Sequence, residues 1–335
     1  MDFSDLKKYD SLAMYKVYDN WPSLAKDAYA SSLESANFEG IDHIVFAGMG
    51  GSGAIGDLFS SILSKSNIHV TLVKGYLLPN TVDEKTLVVA TSVSGNTIET
   101  LSILESANSL NCHTIAFSNG GLMEKYCTDN KINYRKIQSI HSPRASFVTF
   151  VYSILNVLHD ILPISENDIS LSIDSLYNMH SQISSSNLTD QNPAIDLANF
   201  ISGIPLVYYP YGLQSAAIRL KSSLQENAKL HAITEDVIEA CHNGVVAWEK
   251  KSVVQPILLC GEDDYSKTKE RFLIIEKYFV KNDINYKIIH SVSGNILSKI
   301  ISLIYLFDYS SIYYAVISKV DPSPVKSIDF IKSMI

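Results

Sequence analysis

Residues 41–53 read Ile-Asp-His-Ile-Val-Phe-Ala-Gly-Met-Gly-Gly-Ser-Gly, and residues 86–97 read Thr-Leu-Val-Val-Ala-Thr-Ser-Val-Ser-Gly-Asn-Thr. In both, an apolar run stops at a cluster of glycines or hydroxyl residues. After the first, Ile55, Leu58, Phe59 and Ile62 recur at helical spacing. A continuous apolar run with no polar alternation is a strand covered on both faces, as in a parallel sheet. Strand, glycine-rich turn and helix in that order make a βα unit.

The same rhythm extends in both directions. Strands are predicted over 41–47, 68–73, 86–90 and 114–117, with helices over 54–63 and 97–108. The first forty residues read as helical, with Leu6, Leu12, Met14, Val17 and Trp21 as apolar points. An apolar helix over 145–162 ends at Pro163. The serine-rich stretch 165–187 shows weak helical periodicity (Ile169, Leu171, Ile173, Leu176) and reads as a connector. The second half repeats the pattern, with strands over 204–209, 254–259 and 286–289. Helices are predicted there over 216–230, 265–280, 297–317 and 326–334, and Pro210-Tyr-Gly212 is a turn. The fold class is therefore α/β, with two tandem domains, each a doubly wound, mainly parallel sheet flanked by helices. The boundaries predicted are 1–162 for the N-terminal helices and first domain, 163–195 for a helical connector, and 196–335 for the second domain with its C-terminal helices.

Composition agrees with this and excludes several function classes. The chain has 335 residues, 46% of them apolar, enough for about two domains at ~150 residues each. Charged residues make up only 19%, which leans toward surface buried in a subunit interface. The net charge of −8 argues against a nucleic-acid partner, which calls for a basic face. The opening residues have no basic segment followed by an apolar core, so no secretory signal is expected. The most lipid-like stretch, 297–317, carries Lys299 and Asp308 and reads as a buried helix, not a membrane span. Cys112, Cys127, Cys241 and Cys260 form no CxxC pair, which speaks against disulfides or zinc and for a reducing cytoplasm.

The chemistry starts at the two turns. Gly48-Met-Gly50-Gly51-Ser52-Gly53 fits GxGxxG, but a dinucleotide site also needs an acid at the end of the next strand. That strand ends Val73-Lys74-Gly75. What survives is a backbone that approaches an anion at a helix N-terminus, with the Ser52 hydroxyl beside it. Ser92, Ser94 and Thr97 cluster where the next helix begins and would point to the same place. Such a nest, with no GxxxxGK[ST], suits a phosphate monoester and not a nucleoside triphosphate. The bland alternative is that Ser94 and Thr97 only cap the helix. Two such turns in adjacent βα units favour phosphate. Ser-Val-Ser-Gly-Asn recurs at 291–295 without the following Thr and acid, and is taken as an echo and not a second site.

These turns resemble the sugar isomerase (SIS) domain family, whose phosphate loop reads Ser-x-Ser-Gly-x-Thr. Within it the sequence is most similar to the archaeal-type bifunctional phosphoglucose/phosphomannose isomerases. The pieces that carry the likeness are Gly48–Gly53, Ser94-Gly-Asn-Thr-Ile-Glu-Thr100, Pro143-Arg144, Gln225-Glu-Asn-Ala-Lys229, His242-Asn243 and the tail Asp321-Pro-Ser-Pro-Val325 with Lys332. Gly244 stands where the family has an acid, and its Pro-Glu before the histidine is replaced within Val237-Ile-Glu-Ala-Cys241. The resemblance implies an aldose–ketose isomerase acting on glucose 6-phosphate, fructose 6-phosphate and mannose 6-phosphate. It implies Gly50, Gly51, Ser52, Ser92, Ser94 and Thr97 as the phosphate site. Glu226 would be the base that moves a proton between C1 and C2, and His242 the ring-opening group, supplied across a homodimer interface. Lys332 would assist at the ring oxygen, and Arg144 would face the enediolate. No cofactor and no metal are expected, and a small sugar phosphate is the expected partner, with neither nucleic acid nor membrane. The competing readings are a non-catalytic sugar-phosphate sensor, an amino-sugar enzyme and a nicotinamide enzyme.

Overall fold

In the computed structural model, which describes residues 1–334, the two apolar runs become neighbouring central strands of one sheet. The chain opens with α1 (Phe3–Tyr9), α2 (Met14–Asp19) and α3 (Trp21–Tyr29). The predicted helical start thus ends at Tyr29, and residues 31–42 are irregular. Of the apolar points named there, Leu6, Met14 and Trp21 are buried, while Leu12 is exposed.

Next come β1 (His43–Ala47), α4 (Gly50–Leu63), β2 (His69–Val73), β3 (Thr86–Ser92), α5 (Ile98–Asn108), β4 (His113–Ser118), α6 (Gly121–Asn130) and β5 (Asn133–Lys136). All pairings are parallel and the strand order is β2-β1-β3-β4-β5. β1 and β3 are buried along their whole length, whereas the edge strands β2 and β5 are partly exposed. Helices cover both faces of the central strands, so an apolar run without alternation is what those positions require. The order reverses between β1 and β3, so the loops after these two strands diverge around a crevice.

Then follow α7 (Phe147–Val157), α8 (Glu166–Ile183) and α9 (Pro193–Phe200). α7 is shorter at both ends than the helix predicted over 145–162. α9 starts where Asn192 accepts hydrogen bonds from the amides of Ala194 and Ile195, with Pro193 in the first turn.

The remaining chain forms β6 (Ile204–Tyr209), α10 (Gln214–Ala228), β7 (Ile233–Asp236), α11 (Val237–Ala240), a 3-10 turn over Gly244–Glu249, β8 (Val254–Cys260), α12 (Ser266–Lys281), β9 (Lys287–His290), α13 (Ile296–Ile317) and α14 (Lys326–Ser333). Its sheet is also wholly parallel, in the order β7-β6-β8-β9. Asn295 caps α13, which is buried nearly all round as a core helix. The echoed stretch 291–295 therefore leads into this helix, as 92–96 leads into α5.

The described chain separates into two compact units. The first spans Asn20–Ile173; the second joins Met1–Asp19 to the chain from Asp174 onward. Two placements differ from the boundaries predicted above. α1 and α2 group with the second unit because they pack on α13, where the Tyr305 hydroxyl donates to the Tyr18 carbonyl at 2.6 Å. The division also falls within α8, whose Ile169 and Leu176 are buried.

Candidate active site

In the first unit, three segments separated in sequence converge. β1 runs into α4 through Gly48, Met49 and Gly50, and Gly50 takes a φ of +52° that favours glycine. A Cβ at Gly51 would lie 3.1 Å from the Pro143 carbonyl and 3.2 Å from the Arg144 amide. A side chain at that position would push the Pro143-Arg144 backbone away by a few tenths of an ångström. Arg144 itself is buried, at 5% exposure. Ser52 is buried too, and its hydroxyl accepts from the Val93 amide at 3.2 Å, tying the glycine turn to the loop after β3.

That loop is braced internally. The Ser92 hydroxyl pairs with the Thr97 hydroxyl at 2.9 Å and accepts from the Gly95 amide at 3.1 Å. Asn96 uses its carbonyl oxygen to accept from the Leu122 amide at 3.0 Å, joining the loop to the start of α6. Gly95 has a φ of +70°, and a Cβ there would fall 1.8 Å from the Gly120 carbonyl oxygen. Ser94, by contrast, is exposed, and its hydroxyl accepts from the Asn96 amide at 3.2 Å. Thr97 is the N-cap residue of α5, yet its side chain makes no capping bond and turns to Ser92 instead. Met49 at the head of α4 has no side-chain oxygen with which to cap. Two helix N-termini thus present first-turn amides without side-chain caps, a combination that favours an anion.

Lys74, at the end of β2, was not anticipated as part of this region. Its Nζ is 2.6 Å from both carboxylate oxygens of the buried Asp57 on α4, and its stem lies 3.3 Å from where a Cβ of Gly53 would stand. A cation therefore occupies the position at which a dinucleotide site places its ribose acid.

In the second unit, Glu226 sits in the last turn of α10 and is half-buried. Lys229 ends this helix in the left-handed conformation, with φ +55°. Its Nζ donates to the carbonyls of Glu226 (2.9 Å), Asn227 (3.2 Å), Asp321 (2.9 Å) and Pro322 (3.3 Å). The segment around Glu226 and the tail Asp321-Pro322 are therefore clipped together by one cation. A lysine at the negative end of a helix is also favourable to the helix dipole. His242 stands elsewhere in this unit, exposed in the turn after α11. The neighbouring Asn243 donates to Glu239 at 2.7 Å and caps the following 3-10 turn. A Cβ at Gly244 would lie 2.3 Å from the Glu235 carboxylate, so a side chain there would have to displace the tip of Glu235, and an acid would meet a like charge. Burial, then Glu239 and Asp236, push the Glu235 carboxyl above its ordinary range. Lys332 is exposed in the last turn of α14.

A sequence profile of the SIS domain matches residues 38–158, and one described as the bacterial phospho-glucose isomerase C-terminal SIS domain matches residues 190–335. A bifunctional phosphoglucose/phosphomannose isomerase of Caldicellulosiruptor bescii is 30% identical over 335 residues, covering 96% of this chain and 98% of that protein. One of the same name from Aquifex aeolicus is 30% identical over 95% of this chain and 97% of its own. Among solved structures, the C-terminal domain of a Francisella tularensis glucosamine-fructose-6-phosphate aminotransferase superposes with a TM-score of 0.70. It covers 93% of this chain and 97% of its own at 15% identity, a likeness of fold alone.

Proposed function

Because the chain belongs to the SIS-domain phosphoglucose/phosphomannose isomerase family and is a sugar-phosphate isomerase, we propose that it interconverts glucose 6-phosphate with fructose 6-phosphate, and mannose 6-phosphate with fructose 6-phosphate. The observation that carries the reading is the loop after β3. Its exposed Ser94 stands at a helix N-terminus that Thr97 leaves uncapped, next to the glycine turn that opens α4. A phosphate monoester is held by amides and hydroxyls of this kind. Ser94 and the first-turn amides contact the phosphate directly. Gly50 and Gly51 let the backbone approach it. Ser52, Ser92 and Thr97, already engaged with the loop, hold that shape.

The chemistry then follows from the substrate. A cyclic sugar must first open, which moves a proton from the anomeric hydroxyl to the ring oxygen. His242 is suited to that step because its unperturbed pKa, ~6.5, allows it to shuttle protons at neutral pH. Lys332 interacts with the ring oxygen as it is released. In the open aldose, Glu226 removes the proton from C2, and the electron pair left behind forms the C1–C2 double bond of a cis-enediolate. The guanidinium of Arg144 stabilises the negative charge on the enediolate oxygens. Glu226 returns the proton to C1 while the hydroxyl proton passes from O2 to O1, giving the ketose. Atoms and electrons balance within the substrate. We assign His242 to the site of a partner copy, so that the working enzyme is a homodimer.

Turnover of fructose 6-phosphate, with glucose 6-phosphate read by a coupled dehydrogenase, tests the reading, and mannose 6-phosphate is assayed in parallel. Both sugars are expected to turn over. Glu226→Gln is expected to lose well over tenfold in kcat, more than ~1.4 kcal/mol of barrier, while still binding substrate. Saturable sugar-phosphate binding with no turnover by the native protein would instead identify a sensor.

A further inference from the structure

The densest helix packing in the second unit, α10 on α13, encloses charges as well as apolar side chains. Arg219 on α10 and Asp308 on α13 are both buried, at 3% and 0% exposure. The Arg219 Nε lies 2.9 Å from one carboxylate oxygen of Asp308, and Nη2 lies 2.6 Å from the other. The Ser223 hydroxyl donates to the first of these oxygens at 2.5 Å. One turn further along α10, the Asn227 amide donates to the Ser311 hydroxyl at 2.8 Å, and Ser311 donates to the Asp308 carbonyl at 2.7 Å.

Arg219, Ser223 and Asn227 are spaced four residues apart, so they form one stripe along α10 facing α13. Glu226 lies seven residues after Arg219, almost two full turns on, so it emerges along the edge of this stripe. Burial works against the Arg219 charge, and Asp308, with smaller shares from Tyr18 and then Glu226, more than restores it. A buried ion pair adds little net stability compared with apolar packing of the same volume. It does, however, tolerate only one axial register of two helices, because a slip by one residue would strand both charges.

The geometry points to a positioning role. The Arg219–Asp308 pair, with Ser223, Asn227 and Ser311, fixes the rotation and register of the last two turns of α10 and so sets where the Glu226 carboxylate stands. The inference rests on the assignment of Glu226 as the proton carrier. Proton transfer between C1 and C2 demands close placement of the carboxylate, and a misplacement of ~1 Å lowers a rate by up to about a hundredfold. None of these residues needs to touch the sugar.

The experiment uses the full-length chain and two variants that leave the ion pair in place: Ser223→Ala, which removes the hydrogen bond to the Asp308 carboxylate, and Ser311→Ala, which removes the two that Ser311 makes with Asn227 and the Asp308 carbonyl. Each is expected to lower kcat by about tenfold with KM within about twofold of wild type, as fits an interaction felt in the transition state. Each is then combined with Glu226→Asp, whose shorter side chain is already misplaced. In that background the further loss is expected to shrink to less than about threefold, because coupled residues are not additive. Both folded variants keeping kcat within twofold, or losing the same factor in the Glu226→Asp background, would overturn the positioning role and leave a stability element only. Glu226→Gln, run alongside, separates the two ideas. If it retains activity, the assignment of Glu226 itself has failed; if it is inactive and the serine variants are unaffected, only the positioning inference has failed.

Discussion

Ser94 differs from the other hydroxyl residues of the loops after β1 and β3 in its exposure. Ser52 and Ser92 are buried and accept hydrogen bonds from loop amides, and Thr97 is paired with Ser92. Ser94 is exposed at the same turn. Ser94→Ala is therefore expected to raise KM for fructose 6-phosphate several-fold, with kcat nearly unchanged, since it removes binding common to ground and transition states. Steady-state kinetics decide it, and an unchanged KM would move the phosphate elsewhere. At this scale the sequence was legible wherever the requirement is local. Gly95 and Gly51 are read as glycines because backbone groups stand against them, and the same short stretch contains the hydroxyls. Partners far apart in the chain left no such mark. Lys74 meets Asp57 across 17 positions, and Arg219 meets Asp308 across 89.

At the scale of the elements, β1, β2 and β3 share a polar joint centred on His43 at the start of β1. The buried His43 on β1 bonds Thr86 on β3 at 3.2 Å through Nδ1 and Thr71 on β2 at 2.9 Å through Nε2. Burial, then His69, hold its pKa below the ordinary value of 6.5, although Asp83, Asp42 and the Thr81 backbone oppose the shift. The unfolded chain therefore takes up this proton first. Stability is full above pH 6.5 and falls as the pH drops through it toward the depressed value. Chemical denaturation at a series of pH values should show this slope, and His43→Gln should flatten it; equal slopes would refute the assignment. The strands of this joint were among the readable ones. β5 and β7 were not, because these short edge strands, Asn-Tyr-Arg-Lys and Ile-Thr-Glu-Asp, are mostly polar and lack the apolar run that the edge strands β2 and β9 still carry. α6 escaped notice for a related reason, since it buries only Met123 and Cys127.

For the whole molecule, the assignment of His242 to a partner's site has a consequence that no single chain can mimic. Glu226→Gln and His242→Ala should each be inactive alone. Mixed, denatured and refolded together, they should recover about a quarter of the wild-type specific activity, because half of the dimers are mixed and each of these has one intact site. No recovery would mean that both groups come from one chain. The division of the described chain into units has a different consequence. The chain leaves the second unit after Asp19 and returns to it at Asp174, so the first unit is an insertion. On the ribosome, α1 and α2 emerge before the inserted unit, whereas the tyrosines of α13 that meet α2 emerge after it. The inserted unit can fold behind the ribosome while those first helices wait. For these helices, the order of synthesis and the order of folding run in opposite directions.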